Sequence, residues 1–140
     1  MANISYNNGK KNLLNGSFDL VNDTVKVMLV TSTYTPDIDA DEFIDDVTNE
    51  VSGTGYTAGG ATLGTKAVTN DTTNDRGKFD AADTEWTTST ITARAAVVYK
   101  DTGTPGTSPV LCYVDFGADK STTAGTFTIQ WNADGIYYIG

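Results

Sequence analysis

The chain has 140 residues, 39% of them hydrophobic, which is enough to bury a core without metal or disulfide staples. Eighteen Asp and Glu against nine Lys and Arg give a formal net charge of -9. That charge argues against a nucleic-acid partner, whose phosphates demand a basic face, and against docking on an anionic membrane. There is no His and a single cysteine, Cys112, so Ser-His-Asp or Cys-His catalysis, a structural zinc site and an intrachain disulfide have no residues to work with.

In chain order, Met1–Asn8 lacks the apolar stretch of a signal peptide, and synthesis in the cytoplasm is expected. Tyr6–Leu14 reads as a short helix stopped at Asn15-Gly16, so that residues 1–16 form an N-terminal helix or arm. Thr24–Thr31 alternates with Val25, Val27 and Leu29 on one face and is apolar on both, the pattern of a central strand. Tyr34–Asp37 is a turn, and Asp39–Val47 is expected to make one or two helical turns with Phe43, Ile44 and Val47 facing in. Glu50–Leu63, rich in Gly and Thr, reads as an irregular or bulged strand, because Gly inside a strand marks bulges and close backbone approach.

Asn70–Asp75 is a polar loop, followed by short strands at Gly77–Asp80 and Thr84–Thr87. Ile91–Tyr99 is the longest strand, with Ile91, Ala93, Ala95, Val97 and Tyr99 placed on one face. An exposed loop over Asp101–Pro109 leads to a strand from Val110 to Phe116, with Cys112 between Val110 and Val114 on the inward face. Thr126–Trp131 puts Phe127, Ile129 and Trp131 on one side, and residues 135–140 form an apolar tail. No run reaches the roughly 18 apolar residues of a membrane span. The expectation is one all-β domain over residues 1–140: an antiparallel, jelly-roll-like sandwich with one or two short helices in its N-terminal half.

Two motifs fail on inspection. Asp37-Ile-Asp-Ala-Asp41 has the acidic spacing that opens an EF-hand loop, but Glu42 stands where that loop needs Gly and Thr48 where it needs Glu. A solvated, capping acidic turn accounts for it, with a looser oxygen-ligand site through Asp45 or Asp46 left open. Gly53-Thr-Gly55-Tyr-Thr-Ala-Gly59-Gly60 lacks both the strand-to-helix context of a dinucleotide fingerprint and the Gly-Lys-Ser/Thr ending of a phosphate loop. Convergent carboxylates for sugar hydrolysis remain open on sequence; Trp86 and Trp131 read as core or interface anchors rather than sugar platforms. No catalytic residue, cofactor or metal ligand is assigned.

Thr24–Asp37, Val47–Gly60, Tyr113-Val-Asp-Phe-Gly117 and Gly125–Ile136 together resemble, in the same order, small virion structural proteins of tailed phages. The resemblance implies a structural protein without catalytic residues, of the capsid cement or decoration type, on the outer surface of the head. It implies the major capsid protein as partner and a homo-oligomer, dimer or trimer. A tail or fibre component and a small carbohydrate-binding module are the competing readings. The candidate contact residues are Tyr6, Lys10 and Lys11, the Gly-rich Gly53, Gly55, Tyr56, Gly59 and Gly60, and the terminal Ile136, Tyr137, Tyr138 and Ile139. For the terminal group, a last core strand of the same chain is the equal alternative.

Overall fold

The computed structural model describes residues 2–140; Met1, the first residue of the expected N-terminal arm, lies outside them. The strands are β1 (Ala2–Ser5), β2 (Val25–Val30), β3 (Ala61–Thr62), β4 (Ala67–Asp71), β5 (Arg76–Asp80), β6 (Thr84–Ser89), β7 (Thr92–Lys100), β8 (Val110–Ser121), β9 (Gly125–Ile129) and β10 (Tyr137–Ile139), with one helix, α1 (Asn7–Leu14). All pairings are antiparallel. A five-stranded sheet runs β1-β8-β7-β2-β3; a three-stranded sheet, β10-β5-β4, and a two-stranded ribbon, β6-β9, complete the all-β sandwich.

Burial on both faces of the large sheet explains why its central strands are nearly continuous apolar runs rather than clean alternations. On the first face, Val25, Val27, Leu29, Ala96, Val98, Cys112 and Val114 pack with Phe79, Trp86, Phe127, Ile129, Trp131 and Ile136 from the two smaller sheets and their extensions. On the second, Met28, Val30, Ala95, Val97, Tyr99, Val110 and Tyr113 lie with Tyr6 and with Tyr34, Ile44 and Val47 of the coil between β2 and β3.

Two register shifts redistribute the side chains expected on single faces. Between Ala93 and Ala95 the pairing partner jumps from Lys120 to Asp115, so Arg94 stands opposite residues 116–119 of β8. Ile91 and Ala93 therefore belong to the first core, whereas Ala95, Val97 and Tyr99 belong to the second. A second shift, between Val98 and Tyr99, leaves Leu111 as an extra residue, and Val110 faces away from Cys112 and Val114. A bulge inverts side-chain parity, and strict alternation cannot anticipate it.

The helical turns expected over Asp39–Val47 shrink to a single 3-10 turn, Ile44–Asp46, after a turn at Ile38–Ala40. The carboxylates are the reason, because they accept local backbone N–H groups that a helix would have to share. Asp37 Oδ1 accepts from Asp39 and Ala40 at 3.0 and 3.1 Å, and Asp46 Oδ2 from Glu42 and Phe43 at 2.9 and 3.0 Å. Tyr34–Asp37 is irregular, with the turn at Ser32–Thr33 just before it. The polar loop at Asn70–Asp75 is the end of a hairpin whose first strand, β4, has no counterpart in the sequence reading, and neither does β1.

Candidate functional site

A surface groove lies where the chain leaves the large sheet for the two-stranded ribbon. Ser89, fully buried, ties the corner: its Oγ donates to the Gly125 carbonyl at 2.9 Å and lies 2.9 Å from Thr122 Oγ1. The Thr122 N–H bonds the Ile91 carbonyl at 2.9 Å, and the Ala124 N–H bonds Thr90 Oγ1 at 3.0 Å. Four polar contacts thus fix a bend that splays β8 from β9, although three residues separate them. The two strands are consecutive but not paired.

Between them runs a groove of about 660 Å³, lined by residues 115–117 and 120–122 on one side and by Thr126–Gln130 and Asn132 on the other. Its shape is informative. Consecutive strand residues point to opposite faces, so five successive residues can line one cleft only if it follows the strand's edge. Phe127 and Ile129 are buried beneath that edge, while Thr126, Thr128 and Gln130 are exposed above it. On the edge away from β6, β9 pairs with no strand among the described residues. Beyond Asp115, β8 likewise runs past the end of β1.

The bulge shapes the opposite wall. Gly117 sits at φ +81, a left-handed conformation that glycine takes without steric cost, and its N–H donates to Asp115 Oδ1 at 2.8 Å. Asp115 also pairs with Arg94 Nε at 3.2 Å. The Gly117 N–H, and after it the Arg94 guanidinium, hold the Asp115 carboxyl below the usual carboxylate range. The ammonium of Lys120, exposed on the same wall, makes no ion pair or hydrogen bond with any described residue. The groove's one unpaired formal charge, among the described residues, is therefore positive. Its floor continues inward as a row of rings: Phe116 to Phe127 at 6.1 Å, Phe127 to Trp86 at 6.0 Å, and Trp86 to Tyr56 at 5.9 Å between centroids.

The contact residues read from the sequence fall elsewhere and into three groups. Tyr6 is fully buried, its hydroxyl 2.7 Å from that of Tyr34, which donates to Asp41 Oδ2 at 2.7 Å. Burial pushes both phenols well above their ordinary value, and the nearby Asp41 charge raises them further. Lys10 and Lys11 are exposed on α1. In the Gly-rich segment, Gly53 and Gly55 lie against Thr90 and Ser89, with the Thr54–Thr90 bridge between them. The Tyr56 hydroxyl donates to Glu50 Oε1 at 2.9 Å and accepts from the Leu29 N–H at 3.0 Å. Glu50 also accepts from the Gly59 N–H at 2.6 Å, and Tyr99 donates to the Gly59 carbonyl at 2.6 Å. Gly60, at φ +83, lies so close to β2 that a Cβ would fall on the Val27 carbonyl oxygen. The segment is thus bound down along β2 and β7.

The terminal residues form β10, paired with β5 of the same chain through Tyr137–Phe79, Tyr138–Lys78 and Ile139–Gly77. Ile136 is core, Tyr137 bonds Ser5 Oγ at 2.9 Å, and Tyr138 and Ile139 are exposed. Arg76 lies 4.5 Å over the Tyr138 ring and pairs with Asp71 and Asp134 at 2.9 and 2.7 Å. Both indoles are buried, so neither Trp86 nor Trp131 offers a face to a sugar. No group of three or more His, Cys, Asp or Glu side chains is placed to share a metal ion among the described residues.

The groove residues were missed because a free strand edge leaves no mark in side-chain periodicity. The available signal was Gly117 within Asp115-Phe-Gly117, a glycine inside an extended run, which marks a bulge. Comparison with known proteins found no matching family model, no matching curated protein and no matching solved structure.

Proposed function

We propose that the protein is a structural, binding component of a tailed-phage particle, of the capsid cement type, acting on the major capsid protein at the outer head surface. One observation carries the structural reading: two connected sets of polar side chains fasten coil onto sheet. The Tyr6–Tyr34–Asp41 chain holds one coil, and the Glu50–Tyr56–Gly59–Tyr99 set holds the other. Such an arrangement serves rigidity, and a rigid module binds without losing much conformational freedom. The ordered resemblance of four sequence segments supports the phage context. The exposed Tyr138 and Ile139, on a strand already fixed by β5, supply an apolar contact surface for the shell.

Copy number tests this reading. Quantitative mass spectrometry of particles from the phage that encodes the chain is expected to find it in a simple ratio to the shell subunit. A handful of copies per particle would move it to the tail or fibre, and its absence from particles would remove the virion reading altogether. Ile139→Asp is expected to lower retention on the head without lowering the thermal stability of the free protein.

A further inference from the structure

We infer that the groove between β8 and β9 is a strand-addition site that takes an extended, acidic segment of a partner protein. This inference stands independently of any virion location. Along the outer edge of β9, alternate residues turn N–H and C=O groups toward the groove with no neighbouring strand to receive them. An unpaired edge is a template for one more strand, and main-chain hydrogen bonds supply the affinity of such additions. Here the edge is recessed behind the β8 bulge rather than displayed. The β9 segment of a second copy, Gly125–Gln130, carries no carboxylate to meet Lys120, whereas an extended acidic segment does.

The side chains select the occupant. Phe116, Phe127 and Ile129 line one level of the cleft, and Thr126, Thr128 and Gln130 the other, which matches a strand with alternating apolar and polar residues. Asp115 is neutralised by Arg94, leaving the Lys120 ammonium to meet a carboxylate. A basic segment would meet Lys120 and an uncompensated like charge. A sugar would find no exposed indole, and nucleic acid, with a phosphate at every nucleotide, would find a single ammonium along the groove.

The test is selection of random linear peptides on the full-length protein, followed by nitrogen–proton correlation NMR with the strongest binder. The expected result is enrichment of Asp- or Glu-containing peptides of alternating polarity that shift the amides of residues 126–130. Lys120→Glu is expected to weaken the selected peptide at least severalfold at low salt, and less at high salt. Methylating alternate backbone nitrogens of the peptide is expected to abolish binding, because it removes the ladder donors while keeping the side chains. Failure to enrich any peptide, shifts confined to other surfaces, indifference to backbone methylation, or preference for basic peptides would each overturn the inference. So would concentration-dependent shifts of residues 126–130 in the free protein, which would assign the groove to a second copy.

Discussion

The two faces of the large sheet are buried by different means. The first is closed by strands: Phe79 from β5, Trp86 from β6, and Phe127 and Ile129 from β9 lay apolar side chains on β2, β7 and β8. Their backbones join ladders on at least one edge, so the packing layer needs few polar side chains. The second is closed by coil between β2 and β3, whose backbone has no ladder to join. Several of its N–H groups go instead to Asp37, Asp41 and Asp46, and the Tyr34 hydroxyl bonds Tyr6 and Asp41. Covering a sheet with coil therefore draws on acidic and phenolic side chains where covering it with strands draws on hydrocarbon. Much of the chain's acidity on this side is architectural.

The contrast can be broken by pH, and alkali is expected to have the largest effect. Tyr6, Tyr34 and Tyr99 of the second face, with Tyr56, have folded-state pKa values raised above the ordinary tyrosine value of about 10, chiefly by burial. The folded protein holds these protons more tightly than the unfolded chain does. Their contribution is thus complete below about pH 10 and is lost as pH rises toward the folded values. Of these tyrosines, Tyr56 packs on the first face, whose other comparable group is Cys112, its thiol pushed by burial up to about 12. Amide exchange over residues 31–47 is expected to accelerate before that of residues 111–114, and tyrosinate absorbance of the buried rings to appear only with unfolding. Gradual ionisation with the fold intact would contradict this.

Next in size is Leu111→Ala on the first face, a fully buried side chain whose truncation leaves a cavity between well-fixed strands. A loss of about 2–5 kcal/mol is expected, measured by denaturant unfolding, with the protein opening as a whole. Tyr34→Phe should cost less, about 1–3 kcal/mol, because it leaves the buried Tyr6 hydroxyl without its partner and removes one of two donors to Asp41 Oδ2, without a cavity. Its signature is local: faster exchange across residues 31–47, with β7 unaffected. Equal slowing or quickening of both regions would show that the coil and sheet open as one unit.

The smallest effect belongs to acid. Asp101 and Asp115 are held low, first by the N–H groups of Gly103 and Gly117 and then by Lys26 and Arg94. Because their folded pKa values lie below the unfolded ones, their contribution is present above about pH 4 and is lost as pH falls through the folded values. These carboxylates are partly solvated, so a shallow decline in melting temperature is expected below that pH, steeper for neither face.

The elements legible in the sequence were those whose side chains alternate against a core. β2, β7 and β9 were read from Val25, Val27 and Leu29, from the Ile91–Tyr99 run, and from Phe127 and Ile129. The short helix was legible because Asn15-Gly16 stops it; Gly16 lies at φ +77. β4 was invisible because its residues are largely exposed on an edge, and Val68 alone is large and apolar. The inverted faces of Ala93 against Ala95, and of Val110 against Cys112, followed from bulges set by pairing partners distant in sequence. Asp39–Val47 looked helical because acidic residues suit a helix start; the same carboxylates stabilise coil once Tyr34 and Asp41 are joined. Of the candidate site, only the glycine at 117 could have been noticed, since an unpaired edge is a property of the assembled sheets.

The ring row from Tyr56 through Trp86 and Phe127 to Phe116 gives the molecule a built-in optical gauge. Phe116 and Phe127 line the groove, and Trp86 touches Phe127 from behind, inside the core. An occupant that presses on the outer rings alters the packing around an emitter that stays shielded from solvent. Trp86 luminescence and its near-ultraviolet circular dichroism therefore register events at the groove without an attached dye.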